Sequence, residues 1–178
     1  AERALMSMGI TFNVYSEGEG TERIMPLDII PRVVAGDDWN RLEKGLIQRI
    51  TALNMFIDDI YNDQKILDDG VVPRDLIETS KCYLEACKGL KPPKGIWCHI
   101  TGTDLIRGDD GTFMVLEDNL RCPSGVSYML ENRELSKQIF PEVLARTGVR
   151  PVSDYPARLF EMLKFIADRP DPNIVVLT

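Results

Sequence analysis

The sequence predicts a mixed α/β fold built on one long helix and one β-hairpin, and three observations carry that prediction. Trp39, Leu42, Leu46, Ile50, Leu53, Ile57 and Ile60 recur every three or four positions, which is the period of a helix with one apolar face. Two strand-like runs, Ile96–Ile106 and Thr112–Glu117, flank the Gly/Asp loop Gly108–Gly111, a hairpin signal. The run Ile174–Thr178 reads as a buried strand of the parallel kind, and it follows a helical stretch and a Pro-rich turn, as in half of a βαβ unit.

In chain order, Thr11–Tyr15 is rich in β-formers and leads into Ser16–Thr21, a glycine-containing turn. Glu17, Glu19 and Glu22 around that turn would repel a phosphate, and no Gly-Lys-Ser/Thr ending follows, so a phosphate cradle is not expected there. Arg23 and Arg32 could bind an anion, although arginines flanked by acids more often pair with them. Asp37 and Asp38 are placed to cap the long helix, whose polar face carries Arg41, Lys44, Gln48 and Asp58 toward water. Pro73 is expected to start a second helix through about Lys88, after an Asp68–Gly70 turn, and the Pro/Gly-rich segment Lys88–Gly95 reads as an internal linker. Beyond the hairpin, Tyr128–Ala145 and Pro156–Ile166 carry helical spacing, separated by Arg150–Pro156. There is no internal repeat.

A length of 178 residues allows one domain, or one and a half, with a substantial core. A subdivision near residue 90 gives residues 1–90 as a helical N-terminal part and residues 91–178 as the hairpin, its following loop and the later helices. With 44% hydrophobic and 28% charged residues the composition is that of a globular protein, and a formal net charge of -7 with no basic stripe argues against nucleic acid. No apolar run is long enough to span a membrane and no signal segment opens the chain, so a cytoplasmic location is expected. Cys82, Cys87, Cys98 and Cys122 have neither zinc-ribbon spacing nor the density of a disulfide scaffold, so reduced thiols are expected. The absence of an initiator Met, together with a core-type strand at the end, suggests a piece of something larger, and an exposed last strand would favour self-association.

The chemistry concentrates where an apolar strand, Phe113–Leu116, runs into Glu117, Asp118, Asn119, Arg121, Ser124 and Ser127. Glu117 and Asn119, two apart on a strand, share one face, and Asp118 takes the other. Two oxygen ligands at a strand end suit a hard cation such as magnesium, and the arginine and hydroxyls beyond supply donors for an anion. The alternative is that Glu117 and Asn119 only hydrogen-bond a turn. A symmetric four-residue loop would pair Asp104 with Val115 and Gly102 with Glu117. That register places Asp104 on the face of Glu117 and Asn119 and leaves open space at the glycine, whereas a slip of one residue would move Asp104 away. The same parity puts His99 on the opposite face, as a core or edge histidine.

The residues Val115–Tyr128 give this region a family likeness: the chain resembles the circularly permuted ATP-grasp type 2 proteins, often described as glutathionylspermidine-synthase-like. Supporting stretches are Gly9–Tyr15, Gly20–Arg32, Asn54–Tyr61, His99–Asp104 and Leu130–Arg133. The resemblance implies a partial ATP-grasp-like domain over residues 1–178, with ATP and Mg2+ as cofactors and small-molecule or peptide-like carboxylate and amine substrates. It makes Glu117 and Asn119 a Glu-x-Asn magnesium pair, adds Asp104 from the preceding strand, and gives Arg121, Ser124 and Ser127 the task of holding the substrate carboxylate or its acyl phosphate, with Arg121 as the catalytic charge. Gly102 stands two before Asp104, where the glutathione-handling relatives carry an arginine close by, so substrate identity does not transfer. The nucleotide-clamping lysines and a third magnesium carboxylate are expected beyond Thr178. Cys122, without an identifiable base beside it, is expected to be a packed thiol. A metal-dependent hydrolase on the same carboxylates and a non-catalytic binding module are the competing function classes.

Overall fold

The computed structural model describes residues 6, 9, 11–16, 19–24, 27–28, 30–121 and 123–176. In chain order the elements are strands β1 (Thr11–Ser16) and β2 (Glu19–Ile24), helices α1 (Gly36–Tyr61), α2 (Lys65–Asp68) and α3 (Arg74–Glu78), strands β3 (Gly102–Arg107) and β4 (Phe113–Asn119), and helices α4 (Val126–Ile139), α5 (Pro141–Thr147) and α6 (Tyr155–Ala167). The mixed helix-and-strand class holds, with two separate antiparallel pairs, β1–β2 and β3–β4. The chain divides into two compact units, Ala1–Val33 with Ser124–Phe160 and Val34–Pro123 with Glu161–Thr178. Lys88–Gly95 therefore lies within the second unit, as do α1 and the β3–β4 hairpin.

In the first unit, the stretch expected as a turn is largely strand: Gly20 and Thr21 belong to β2, paired with Tyr15 and Val14. Once β1 offers a row of backbone donors and acceptors, pairing satisfies this segment better than an open loop. Arg23 and Arg32 are exposed and form no ion pair among the described residues. Tyr128 Oη donates to the Thr11 carbonyl at 3.1 Å. The helix expected over Tyr128–Ala145 is two helices. Phe140, at φ -128° and ψ 52°, breaks the path, and Pro141 starts α5 at the position where a missing N–H costs nothing.

In the second unit, Ala35 is the extended residue before α1, and Asp37 and Asp38 lie inside the first turn, where negative charge meets the positive end of the helix dipole. The polar face of α1 does more than meet water. Asn54 Oδ1 accepts the backbone N–H groups of Trp97 and Cys98, both at 2.9 Å, and Asp58 Oδ1 accepts the Trp97 indole N–H at 3.0 Å. Trp97 in turn stacks on Tyr61 at 5.1 Å, and Tyr61 stacks on Tyr83 at 5.0 Å. Asp59 caps α2 through the N–H groups of Lys65 and Ile66.

Three expectations for this unit are corrected. The helix expected over Pro73–Lys88 stops at Glu78. The Thr79 hydroxyl bonds back to the Asp75 carbonyl, and Ser80 Oγ takes the Cys82 N–H, so local side-chain bonds replace the helical ladder. The strand expected from Ile96 begins only at Gly102, because Asn54 holds the backbone of Trp97 and Cys98. The described part of the expected terminal strand, Ile174–Val176, is irregular, with Val175 and Val176 exposed. No strand among the described residues runs beside it, and a parallel strand has no ladder without a neighbour. Leu177 and Thr178 lie outside the described residues.

The substantial core expected from length is not what these residues form. Ile60, Leu67 and Leu135 are the buried apolar residues among those described, while Ile47, Met55, Leu116 and Val176 stay exposed. Two-stranded sheets bury too little by themselves to cover every apolar stripe the sequence lays out.

Candidate metal-binding face of the β3–β4 hairpin

The hairpin loop is longer than the four residues that the sequence suggests. Arg107 pairs with Phe113, so Gly108–Thr112 form the loop. Thr112 leaves the ladder because its N–H and hydroxyl bond to the Asp110 carboxylate at 2.9 and 3.0 Å. Those bonds, the backbone one first, hold the Asp110 carboxyl below the usual aspartate range. Gly111, at φ +82°, supplies the left-handed residue that closes the turn.

The longer loop moves the register by one residue at the turn, pairing Leu105 with Val115 and Ile106 with Met114. A slip of that size alone would carry Glu117 away from Asp104. A β-bulge cancels it: the register shifts again between Asp104 and Leu105, so Leu116 stands unpaired and Asp104 faces Glu117 directly. Asp104, Glu117 and Asn119 do share a face, by a route different from the predicted one. Gly102 sits opposite Asn119, not Glu117, and its missing side chain does not leave open space: a Cβ there would come within 3.0 Å of Pro123 Cβ.

The two faces of this hairpin differ in chemistry. Toward α1 lie Thr103, Leu105, Phe113, Val115 and Asp118, with Leu42 and Leu46 of the helix lining a groove of about 330 Å³ against Leu105, Phe113 and Val115. Asp118, whose side chain is 9% exposed, accepts Arg49 Nε at 2.7 Å and the Thr103 hydroxyl at 3.0 Å. Sequence reading left Arg49 unassigned; its place one turn beyond Leu46 on α1 is the signal that could have found it. The strand expected to be buried is only half so: Phe113 and Val115 are half-buried, while Met114 and Leu116 are exposed.

The outer face carries Asp104, Glu117 and Asn119, all exposed, with Asn119 Nδ2 donating to Glu117 Oε1 at 3.2 Å. Asp104 and Glu117 are like charges set directly opposite one another, and neither forms an ion pair among the described residues. Such a pair opposes strand pairing by roughly 0.2–1 kcal/mol unless a cation joins it. Two carboxylates and an amide oxygen are hard donors of the kind magnesium takes from a protein while keeping waters and phosphate oxygens in its shell. Among the described residues no group of three His, Cys, Asp or Glu side chains is placed to hold a metal, so the fit rests on this two-carboxylate-plus-amide set.

Arg121, two residues past the end of β4, is exposed and unpaired among the described residues. Ser124 and Ser127 belong to the first unit, before and within the first turn of α4; both are exposed, and α4 has no side-chain cap. His99 is half-buried in the loop before β3, so strand parity does not apply to it. Cys82, Cys87 and Cys98 are free, and burial pushes the Cys98 thiol up, away from reactivity. Cys122 lies outside the described residues. No helix among them is long and apolar enough to cross a membrane.

Comparison with known proteins gives this hairpin a family context. The family model for circularly permuted ATP-grasp type 2 matches residues 31–178. The chain is 52% identical over 180 residues to an uncharacterised protein of Synechocystis sp., covering 100% of this chain and 37% of that protein. It is 48% identical over 178 residues to an uncharacterised protein of Mycobacterium leprae, covering 99% and 31%. A Frankia casuarinae protein provisionally named glutamate–cysteine ligase 2-2 is 38% identical over 173 residues, covering 96% of this chain and 20% of its own. The chain thus spans 37% or less of the length of each of these relatives. With the family model matching most of its residues, including the whole β3–β4 hairpin, the chain belongs to the circularly permuted ATP-grasp type 2 family.

Proposed function

We propose that this chain carries the metal- and substrate-holding portion of an ATP- and magnesium-dependent carboxylate–amine ligase. The observation that carries the reading is the direct opposition of Asp104 and Glu117, with Asn119 beside them, on an exposed hairpin face where neither carboxylate forms an ion pair among the described residues. Family membership and the ligase name of the Frankia relative support it.

In the reaction, a carboxylate oxygen of the acid substrate attacks the γ-phosphorus of ATP, and the bond to ADP breaks. The resulting acyl phosphate is intercepted by an amine nitrogen, which loses a proton as inorganic phosphate departs. Phosphoryl transfer of this kind is mostly positioning and charge neutralisation. Asp104, Glu117 and Asn119 would hold a magnesium ion, whose chemistry there would be to neutralise charge on phosphate oxygens. Arg121 offers a guanidinium to the substrate carboxylate or the acyl phosphate. The substrate-holding role of Ser124 and Ser127, which belong to the other unit, rests on the family resemblance alone. No cysteine nucleophile is needed. A cytoplasmic location, where ATP is supplied, fits this reading.

The test is ADP release by the full-length protein with mixed acids and amines, glutamate and cysteine first among them because of the Frankia name. Glu117→Ala is expected to abolish turnover and to weaken the binding of Mn2+, a magnetic stand-in for magnesium. Unchanged Mn2+ binding and unchanged turnover in that variant would sink the assignment.

A further inference from the structure

Counting along β4 from Val115, which faces α1, strict alternation would turn Glu117 inward and Asp118 outward. The unpaired Leu116 reverses this and leaves Asp118 against the helix. The hairpin therefore holds two adjacent acids in competition for one inward position, and the winner meets Arg49. In the continuous register set by the turn, Thr103 would oppose Glu117 instead of Asp118, and Asp104 would oppose Leu116. The observed arrangement is tied from two sides, by Arg49 Nε on Asp118 Oδ2 at 2.7 Å and by the Thr103 hydroxyl on Oδ1 at 3.0 Å. These bonds gain strength because Asp118 is nearly buried, and a charge left there without partners is costly.

We propose that Arg49, Thr103 and Asp118 form a register clamp that keeps Glu117 and Asn119 on the face of Asp104, which makes them positioning residues for the divalent cation. The inference rests on the metal face proposed above. None of the three touches that face. They act through the strand: a one-residue slip exchanges the faces of every side chain beyond the bulge. With Asp118 removed, Arg49 is left facing a strand on which Glu117 is one residue away, and the slip gives Arg49 a carboxylate again at the expense of the outer face.

The experiment uses the isotopically labelled full-length protein, with Mn2+ alone as the probe, titrated by electron paramagnetic resonance. Backbone cross-strand nuclear Overhauser contacts of Glu117 are followed in parallel. Asp118→Ala is expected to weaken Mn2+ binding by about tenfold or more, the scale of outer-shell partners of a metal site. It is also expected to replace the Glu117–Asp104 contact with a Glu117–Thr103 contact. Asp118→Glu, which keeps a carboxylate for Arg49, is expected to stay within about threefold of wild type and to retain the Asp104 contact. If Glu117→Ala weakens Mn2+ binding while Asp118→Ala does not, the clamp is overturned and the metal face stands. Weakened binding in Asp118→Ala with the Asp104 contact intact also overturns the clamp, since a merely stabilising role moves no register. If Asp118→Ala does not fold, Thr103→Val decides: a partial appearance of the Thr103 contact supports the clamp, and an unchanged register refutes it. Should Glu117→Ala leave Mn2+ binding unaltered, it is the metal face itself that fails.

Discussion

The two hairpins are built alike and behave differently. β1–β2 keeps one register from Thr11↔Ile24 to Ser16↔Glu19, whereas β3–β4 changes register midway and carries an extra residue on one strand. In the regular hairpin, sequence parity alone decides which residues share a face. In the bulged one, parity reverses past Leu116, and acids that simple alternation would assign one way are assigned the other. A bulge costs ladder bonds, and here it coincides with the carboxylates read as a cation site. The second hairpin also has attachments of its own, at its entry through Asn54 and on its inner face through Arg49.

The sharpest way to break the comparison is to change the parity of β4. An alanine inserted between Leu116 and Glu117 takes Glu117 from its place opposite Asp104: with Leu116 still unpaired the alanine stands there and Glu117 turns toward α1, and in a continuous ladder Leu116 stands there and Glu117 moves opposite Gly102. Under the proposed function the insertion is expected to lower ADP release by at least about 100-fold, since misplacing a magnesium ligand would remove several kcal/mol of charge stabilisation. Deleting Leu116 makes the hairpin as regular as β1–β2 yet leaves Asp104 opposite Glu117, so Mn2+ binding should stay within about threefold of wild type. Reversed outcomes for the two variants would show that the bulge does not set the faces.

Next in size is the entry to β3. Asn54→Ala leaves the Trp97 and Cys98 N–H groups without their acceptor in a half-buried site, and the expected loss is about 1–3 kcal/mol. A urea midpoint identical to wild type would mean that this segment is held by the Tyr61–Trp97 stack and the Asp58–indole bond instead.

The smallest effect lies in the loop. Asp110 has its carboxyl held below the usual aspartate value of about 3.9, so its bonds to Thr112 add stability above that value, and the contribution disappears as pH falls through the lowered one. Wild type and Asp110→Ala should therefore differ in denaturant midpoint near neutral pH and converge in acid. A gap that persisted at low pH would exclude the carboxylate as its source.

Much of the fold was legible in the sequence because it depends on local periodicity. The α1 stripe from Trp39 to Ile60, the Gly/Asp-marked hairpin and α6 are set by spacing and turn chemistry, and the structure has each of them. The candidate site was legible as a cluster: Glu117-x-Asn119 share a face on any strand, and Asp104 does join them. The failures were of another kind. Thr79 and Ser80 ended a helix by bonding locally, Asn54 withdrew Trp97 and Cys98 from a strand, and Asp58 turned from solvent to an indole N–H.

By itself the sequence determined the element types, the acids gathered at one strand end and the family likeness, all of which follow from neighbours along the chain. Only the tertiary structure decided the register, the bulge at Leu116, and that Asp118 faces α1 while Glu117 faces out. The reason is that a strand's two faces differ by a single residue of phase, and that phase is set by groups far away in sequence, here Arg49 at 2.7 Å from a carboxylate 69 residues further on.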